Sequence, residues 1–232
     1  MDSGKKKFSI AIDGTAASGK STVAKLLAEE LGISYLDTGK LYRAVALHFL
    51  KDDTRSSQDW EKDDRWLQQQ LDSTRLELST PPAGECRILL NGEDVNGRLA
   101  DLTVEQATPF AARIPAVRDF LLDAQRQLAE GSSVVMAGRD IGTVVLPQAT
   151  LKVFIEADLK ERARRRLAQH ADTVTEQELE KAAAELASRD EKDAKRKTAP
   201  MVAAPDAVKV DSTQQTPEQI VAGLKKALGE RI

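Results

Sequence analysis

The stretch Phe8-Ser9-Ile10-Ala11-Ile12-Asp13-Gly14-Thr15-Ala16-Ala17-Ser18-Gly19-Lys20-Ser21-Thr22 decides the fold. Phe8 to Ile12 is a short apolar run suited to a buried strand, and Gly14 to Ser21 has the spacing G-x-x-x-x-G-K-[ST]. Directly after it, Ser21 to Leu31 sets Val23, Leu27 and Leu31 on one helical face. Strand, small-residue turn and helix in that order make a phosphate-binding loop. The backbone from Gly14 through Thr15, Ala16, Ala17, Ser18 and Gly19 to Lys20, Ser21 and Thr22 wraps a polyphosphate at the helix N-terminus. Lys20 reaches the β and γ phosphates, and the Ser21 hydroxyl is placed to hold Mg²⁺. The expected ligand is ATP or GTP. No N-K-x-D guanine-reading motif follows, and the loop is shared by motors, switches and kinases, so other segments must choose among them.

Outward from this unit, short β-branched runs alternate with helical periodicity. Ile33 to Leu36, Ser133 to Met136, Leu151 to Ile155 and Val208 to Val210 join Phe8 to Ile12 as five buried strands of a parallel sheet. Thr103 to Ala129 reads as helix with a break near Pro109 to Pro115. The polar stretch 51–101 interrupts the rhythm. Arg75 to Leu78, Arg87 to Leu90 and Glu93 to Val95 read as short strands, and Asn91-Gly92 is a hairpin signal, so this is an inserted antiparallel lobe in which Trp60 and Trp66 pack.

The 232 residues suit one large domain, or one with an insertion, and 41% hydrophobic residues are ample for a core. A net charge of −3 excludes a general basic field for long nucleic acid, so any anion site is local. One cysteine, Cys86, and two histidines, His48 and His170, exclude an internal disulfide and an ordinary zinc site. No run reaches membrane-span length, and the sequence reads as that of a cytoplasmic monomer with no membrane partner.

Two further segments bear on chemistry. Leu36-Asp37-Thr38-Gly39-Lys40-Leu41-Tyr42-Arg43 puts Thr38 and Gly39 at a helix start and Arg43 one turn inside, where a guanidinium meets a phosphate; an ordinary cap with a solvated arginine would leave the same trace. The run Val134 to Ala137 ends in Gly138-Arg139-Asp140-Ile141-Gly142-Thr143, an arginine and a carboxylate at the carboxyl end of a central strand, where open α/β sheets bind ligands; a surface ion pair is the plainer alternative.

Taken with IAIDGTAASGKST, the segments YLDTGKLYRA, GRDIGTVVLP, SRDEKDAKR and VDST make the chain resemble the nucleoside monophosphate kinases, most closely the bacterial-type cytidylate kinases, over nearly its whole length. The resemblance implies an α/β, three-layer P-loop fold with a five-stranded parallel sheet, a small inserted antiparallel β lobe and a helical lid. Residues 1–232 form one kinase domain, with 51–101 a monophosphate-binding insert and 156–197 a lid. It implies transfer of the ATP γ-phosphoryl group to CMP or dCMP; rivals are a kinase acting on UMP or AMP and a P-loop regulatory module. By matching motif, Thr38, Arg43 and Arg139 hold the monophosphate, Arg118 and Asp140 read the cytosine edge, Arg189 and Asp193 contact the ribose, and Arg196 lies near the phosphates. One departure is Pro109, preceded by Thr108, where the family has a base-touching serine.

The acceptor phosphate is ionised at neutral pH, so the reaction needs charge cancellation and alignment rather than a histidine base. Lys20, Arg139, Arg162, Arg166 and Arg196 are the catalytic candidates. Arg162, Arg165 and Arg166 share one helical face, and Arg189, Asp193 and Arg196 another, as a lid closing on phosphates requires. Solvated helices laced by exposed ion pairs would give the same spacing. The lid's long helix is expected over Glu176 to Lys197, after a polar connector at His170 to Thr175 in which His170 is solvent-exposed.

Overall fold

The computed structural model describes residues 7–168 and 174–231; the expectation for His170 lies outside them. Strand β1 (Ser9–Gly14) leads into helix α1 (Lys20–Leu31), then β2 (Ser34–Asp37) and α2 (Gly39–Phe49). Helix α3 (Asp64–Asp72) opens the insertion, followed by β3 (Leu76–Ser79), β4 (Gly84–Glu85), β5 (Arg87–Leu90) and β6 (Glu93–Asp94). Helices α4 (Leu102–Arg113) and α5 (Pro115–Gly131) return the chain to β7 (Val134–Ala137) and β8 (Leu151–Glu156). Helices α6 (Leu159–Leu167) and α7 (Glu176–Ala194) form an arm before β9 (Val208–Asp211) and α8 (Pro217–Gly229).

The sheet is parallel in the order β4-β2-β7-β1-β8-β9. It therefore has six strands, where the sequence suggests five. The sixth, β4, is two residues long and too short to leave an alternation signal, yet Gly84 N–H donates to the Ile33 carbonyl at 3.2 Å and Cys86 N–H to Tyr35 at 2.8 Å. Successive residues face opposite layers. Ile10 and Ile12 of β1, with Val135 and Ala137 of β7, pack against α1 and α8, whereas Ala11, Val134 and Met136 pack on the other side with α2, α4 and α5.

The expected hairpin is present: Asn91 and Gly92 have φ of 52° and 83° and link β5 to β6, with Leu90 opposite Glu93. Ile88, Leu90, Trp60 and Trp66 join the same apolar cluster as α2, α4 and α5, with both tryptophan rings against Phe49. Trp60 is fully buried, so both indoles pack, as read from the sequence.

Helix α4 runs through Pro109, and the break falls at Ile114, whose extended ψ of 118° is what the following Pro115 demands. Helix α7 ends at Ala194, short of the expected Lys197. The carbonyl of Asp193 accepts from Met201 N–H at 2.9 Å, and the chain turns back there.

Candidate active site

The carboxyl ends of β1, β2 and β7 meet at a cleft of about 350 Å³. One end is the phosphate loop, with Ala16, Ala17, Gly19, Lys20, Ser21 and Thr22 on its wall. Gly14 is obligatory at the loop's start, because a Cβ there would stand 2.0 Å from the Ile155 carbonyl oxygen of the adjacent strand. Lys20 is buried, and its ammonium donates to the Thr15 carbonyl at 3.0 Å. Burial, together with the nearby Arg139 guanidinium, pushes Lys20 well below the ordinary lysine range, a penalty that a bound polyanion relieves. Ser21 Oγ donates to Asp37 Oδ2 at 3.1 Å, which places a hydroxyl and a carboxylate together beside the loop.

The other end of the cleft is cationic. Thr38, Arg43, Arg118, Arg139, Asp140, Arg166, Arg189, Asp193 and Arg196 all lie on its wall. Thr38 stands in the N-cap position of α2 without capping it; its hydroxyl donates to the Ala137 carbonyl at 2.9 Å and ties α2 to β7. Arg43, one turn into α2, donates to the Leu99 carbonyl at 3.1 Å. Arg139 Nε lies 3.0 Å from Asp193 Oδ2, while the other Asp193 oxygen pairs with Arg196. This carboxylate on α7 thus joins the turn after β7 to the arm. Arg166 pairs with Glu105 of α4. Arg189 faces the cleft with no ion-pair partner among the described residues. Thr108 lies on the wall, with its hydroxyl donating to the Val104 carbonyl at 2.7 Å, whereas Pro109 does not line the cleft.

The catalytic candidate Arg162 and its neighbour on the expected lid face, Arg165, sit elsewhere. Arg162 is behind the phosphate loop, donating to the Ala16 carbonyl at 3.2 Å and pairing with Asp190. Arg165 donates to the Ser212 carbonyl at 2.7 Å and so anchors α6 to the end of β9. The shared helical face therefore splits in space: of its three arginines, only Arg166 lines the cleft. His48 packs against the insertion, its ring 3.0 Å from Ser73 Oγ.

Sequence reasoning missed several acidic residues. Asp13 is buried; its two oxygens accept from Ile141 and Gly142 N–H, each at 2.7 Å, and fix the turn that carries Arg139 and Asp140. Burial, reinforced by the Asp140 charge, raises its pKa to about 6 against the pull of those two donors. Asp37 holds Ser21, Glu105 holds Arg166, and Asp190 accepts from Ala16 N–H at 3.0 Å. The signal for Asp13 and Asp37 was their position at the ends of buried strands; nothing in spacing marked Glu105 or Asp190.

The arrangement is suited to bringing two anions together: the loop faces a ring of arginines, of which Arg118, Arg139, Arg166 and Arg196 are held by carboxylates. Among the described residues, no helix is long and apolar enough to cross a membrane. The chain matches the profile of the family described as "Cytidylate kinase" over residues 10–229. It is 43% identical over 227 residues to the cytidylate kinase of Geobacillus thermodenitrificans, covering 98% of this chain and 99% of that one. It is 42% identical over 219 residues to that of Caldanaerobacter subterraneus, with 94% and 93% covered. Among solved structures, an uncharacterized protein from Eubacterium ventriosum aligns with a TM-score of 0.54 at 15% identity, covering 97% of this chain and 100% of that chain, a likeness of fold alone. Motifs, cleft and near full-length similarity agree, and the chain belongs to the cytidylate kinase family.

Proposed function

We propose that the chain transfers the γ-phosphoryl group of ATP to CMP or dCMP, giving ADP and CDP or dCDP. The observation that carries this reading is a single cleft joining the phosphate loop to the Arg118–Asp140 pair through a ring of arginines, in a chain of the cytidylate kinase family. An ionised oxygen of the acceptor phosphate attacks the γ phosphorus; the bond from that phosphorus to the β–γ bridging oxygen breaks, and ADP leaves with the electron pair. Lys20 and the loop backbone hold the donor phosphates. Thr38, Arg43 and Arg139 hold the acceptor phosphate, and Arg166, Arg189 and Arg196 offset charge between the two anions. Asp193 keeps Arg139 and Arg196 aimed, and with Arg189 contacts the ribose.

Mg²⁺ fits beside the loop, where the Ser21 hydroxyl and the Asp37 carboxylate supply hard oxygen atoms; there it would add a charge that polarises the transferred group. Residues 51–101 form the monophosphate-binding insert of a single kinase domain, and 156–197 form its lid. The same reading includes a monomer acting in the cytoplasm, in keeping with the one cysteine, Cys86, buried and unpaired.

The test is ADP formation from ATP and Mg²⁺ with CMP, dCMP, UMP, AMP, GMP or no acceptor in parallel. Turnover confined to CMP and dCMP is expected. Folded protein that forms no acceptor-dependent ADP would overturn the reading, and preference for another monophosphate would correct the acceptor.

A further inference from the structure

Ala16, in the middle of the phosphate loop, is gripped by the α6–α7 arm on three sides. Its N–H donates to Asp190 Oδ1 at 3.0 Å, and its carbonyl accepts from Arg162 Nη1 at 3.2 Å. The same guanidinium pairs with the second Asp190 oxygen and closes a ring through the two peptide groups that flank the Ala16 Cα. The Ala16 methyl packs with Ala163, Leu179, Ala182 and Leu186, an apolar cluster separate from the two that flank the sheet. The Arg162 and Asp190 side chains are only 9% and 14% exposed, so the ring is largely shielded from water. The next residue, Ala17, has a φ of 58°, which a residue with a Cβ holds only when its surroundings fix it.

Asp190 lies on α7 between Arg189 and Asp193, the two arm residues read above as ribose contacts. A ligand that seats Arg189 and Asp193 therefore also seats Asp190 on Ala16, one rigid helix serving both ends of the cleft. We propose that Asp190 and Arg162 are positioning residues that make the shape of the donor phosphate loop depend on the acceptor, so that bound CMP tightens ATP binding through the clamp on Ala16. This rests on reading the cleft as a two-nucleotide kinase site. The clamp touches no reacting atom, and coupling is reciprocal, so ATP tightens CMP by the same factor.

The experiment measures the affinity of a non-hydrolysable ATP analogue with and without saturating CMP, in the wild type and in Asp190→Asn and Asp190→Ala. Wild type should show a tightening of about tenfold, inside the usual range for coupled sites. Asp190→Asn keeps an acceptor for Ala16 N–H but loses the negative charge that pairs with Arg162, so its factor should be intermediate. Asp190→Ala loses both, and its factor should fall below about twofold, with KM for ATP rising more than kcat falls. In the wild type, CMP alone should also slow hydrogen exchange in the peptide that spans residues 15–19, a readout that stands even if Asp190→Ala does not fold. Wild-type coupling in folded Asp190→Ala overturns the proposal, as does unchanged exchange of that peptide when CMP binds. Wild type that binds no CMP by calorimetry fails the functional reading itself, a result distinct from a protein that binds and turns over CMP without coupling.

Discussion

Arg118 and Asp140 form a buried ion pair on the wall of the cleft, with the Arg118 guanidinium 5.5 Å from the centre of the Tyr42 ring. They come from α5 and from the turn after β7, and each satisfies the other while no base is bound. A cytosine edge offers an amino donor to the carboxylate and acceptors to the guanidinium; uracil offers an acceptor where the amino group would be, and leaves a buried charge unpaired. Asp140→Asn should therefore lower the ratio of kcat/KM for CMP over UMP by at least about tenfold, the scale of one hydrogen bond to a charged group. Steady-state kinetics with both acceptors checks this. An unchanged ratio would remove Asp140 from base reading.

Gly138 admits no side chain. A Cβ there would lie 2.6 Å from both Thr38 Oγ1 and Ile141 Cδ1, between two groups that shape the acceptor end of the cleft. Gly138→Ala should cost about 1–3 kcal/mol of stability and raise KM for CMP well above any change in ATP-analogue affinity. Equal losses at both nucleotides would mean that the strain spreads through the whole cleft.

Asp13 predicts a pH dependence. An unfolded aspartate releases its proton near 3.8, whereas folded Asp13 does so near about 6, because burial and the Asp140 charge outweigh Lys20 and the two backbone donors. Between those values the folded chain binds more protons than the unfolded one, so this group's contribution falls as pH rises through the window. Above it the full penalty, about 3 kcal/mol at most, is present. Urea unfolding between pH 4 and 7 should show that the stability difference between wild type and Asp13→Asn declines with rising pH and then levels off. A difference independent of pH would place the Asp13 pKa near its ordinary value.

Trp60 is fully buried edge-on to Phe49, ring centres 5.1 Å apart, and its indole N–H has no partner among the described residues. Truncation and polarity separate cleanly here. Trp60→Ala should destabilise by about 3–5 kcal/mol. Trp60→Phe gives up some volume but removes an unsatisfied donor, and should stay within about 1.5 kcal/mol of wild type. Denaturant midpoints at constant m-value decide it; equal losses would mean that the indole N–H is satisfied in solution.

The parts legible in the sequence are those where one local pattern carries the information. The phosphate loop follows its strand at fixed spacing, the Asn91-Gly92 turn needs positive φ, and the five longer strands stand out as short apolar runs between helical stretches. The two-residue β4 was hidden because it is too short to leave a pattern, whereas the break expected near Pro109 to Pro115 is present at Ile114, set by Pro115 while α4 continues through Pro109. Helical spacing grouped Arg162 with Arg165 and Arg166 but did not say what each would meet. Arg162 meets the loop peptide, Arg165 meets the end of β9, and Arg166 meets Glu105. Those partners lie tens of residues or more away in sequence, and only the tertiary fold assigns them.

The short edge strand β4 has a mechanical consequence. Hydrogen bonds to β2 stitch the insertion to the sheet in mid-course, and its apolar residues share a core with α2, α4 and α5. The insertion is therefore pinned at its ends, along one edge and over one face. The arm, by contrast, shares only a small apolar cluster with Ala16 of the phosphate loop and otherwise meets the body through side chains such as the Asp193–Arg139 and Arg166–Glu105 pairs. The insertion's side is thus the better-anchored jaw of the cleft, and limited proteolysis of the native protein should cut within α6 or α7 before it cuts the insertion.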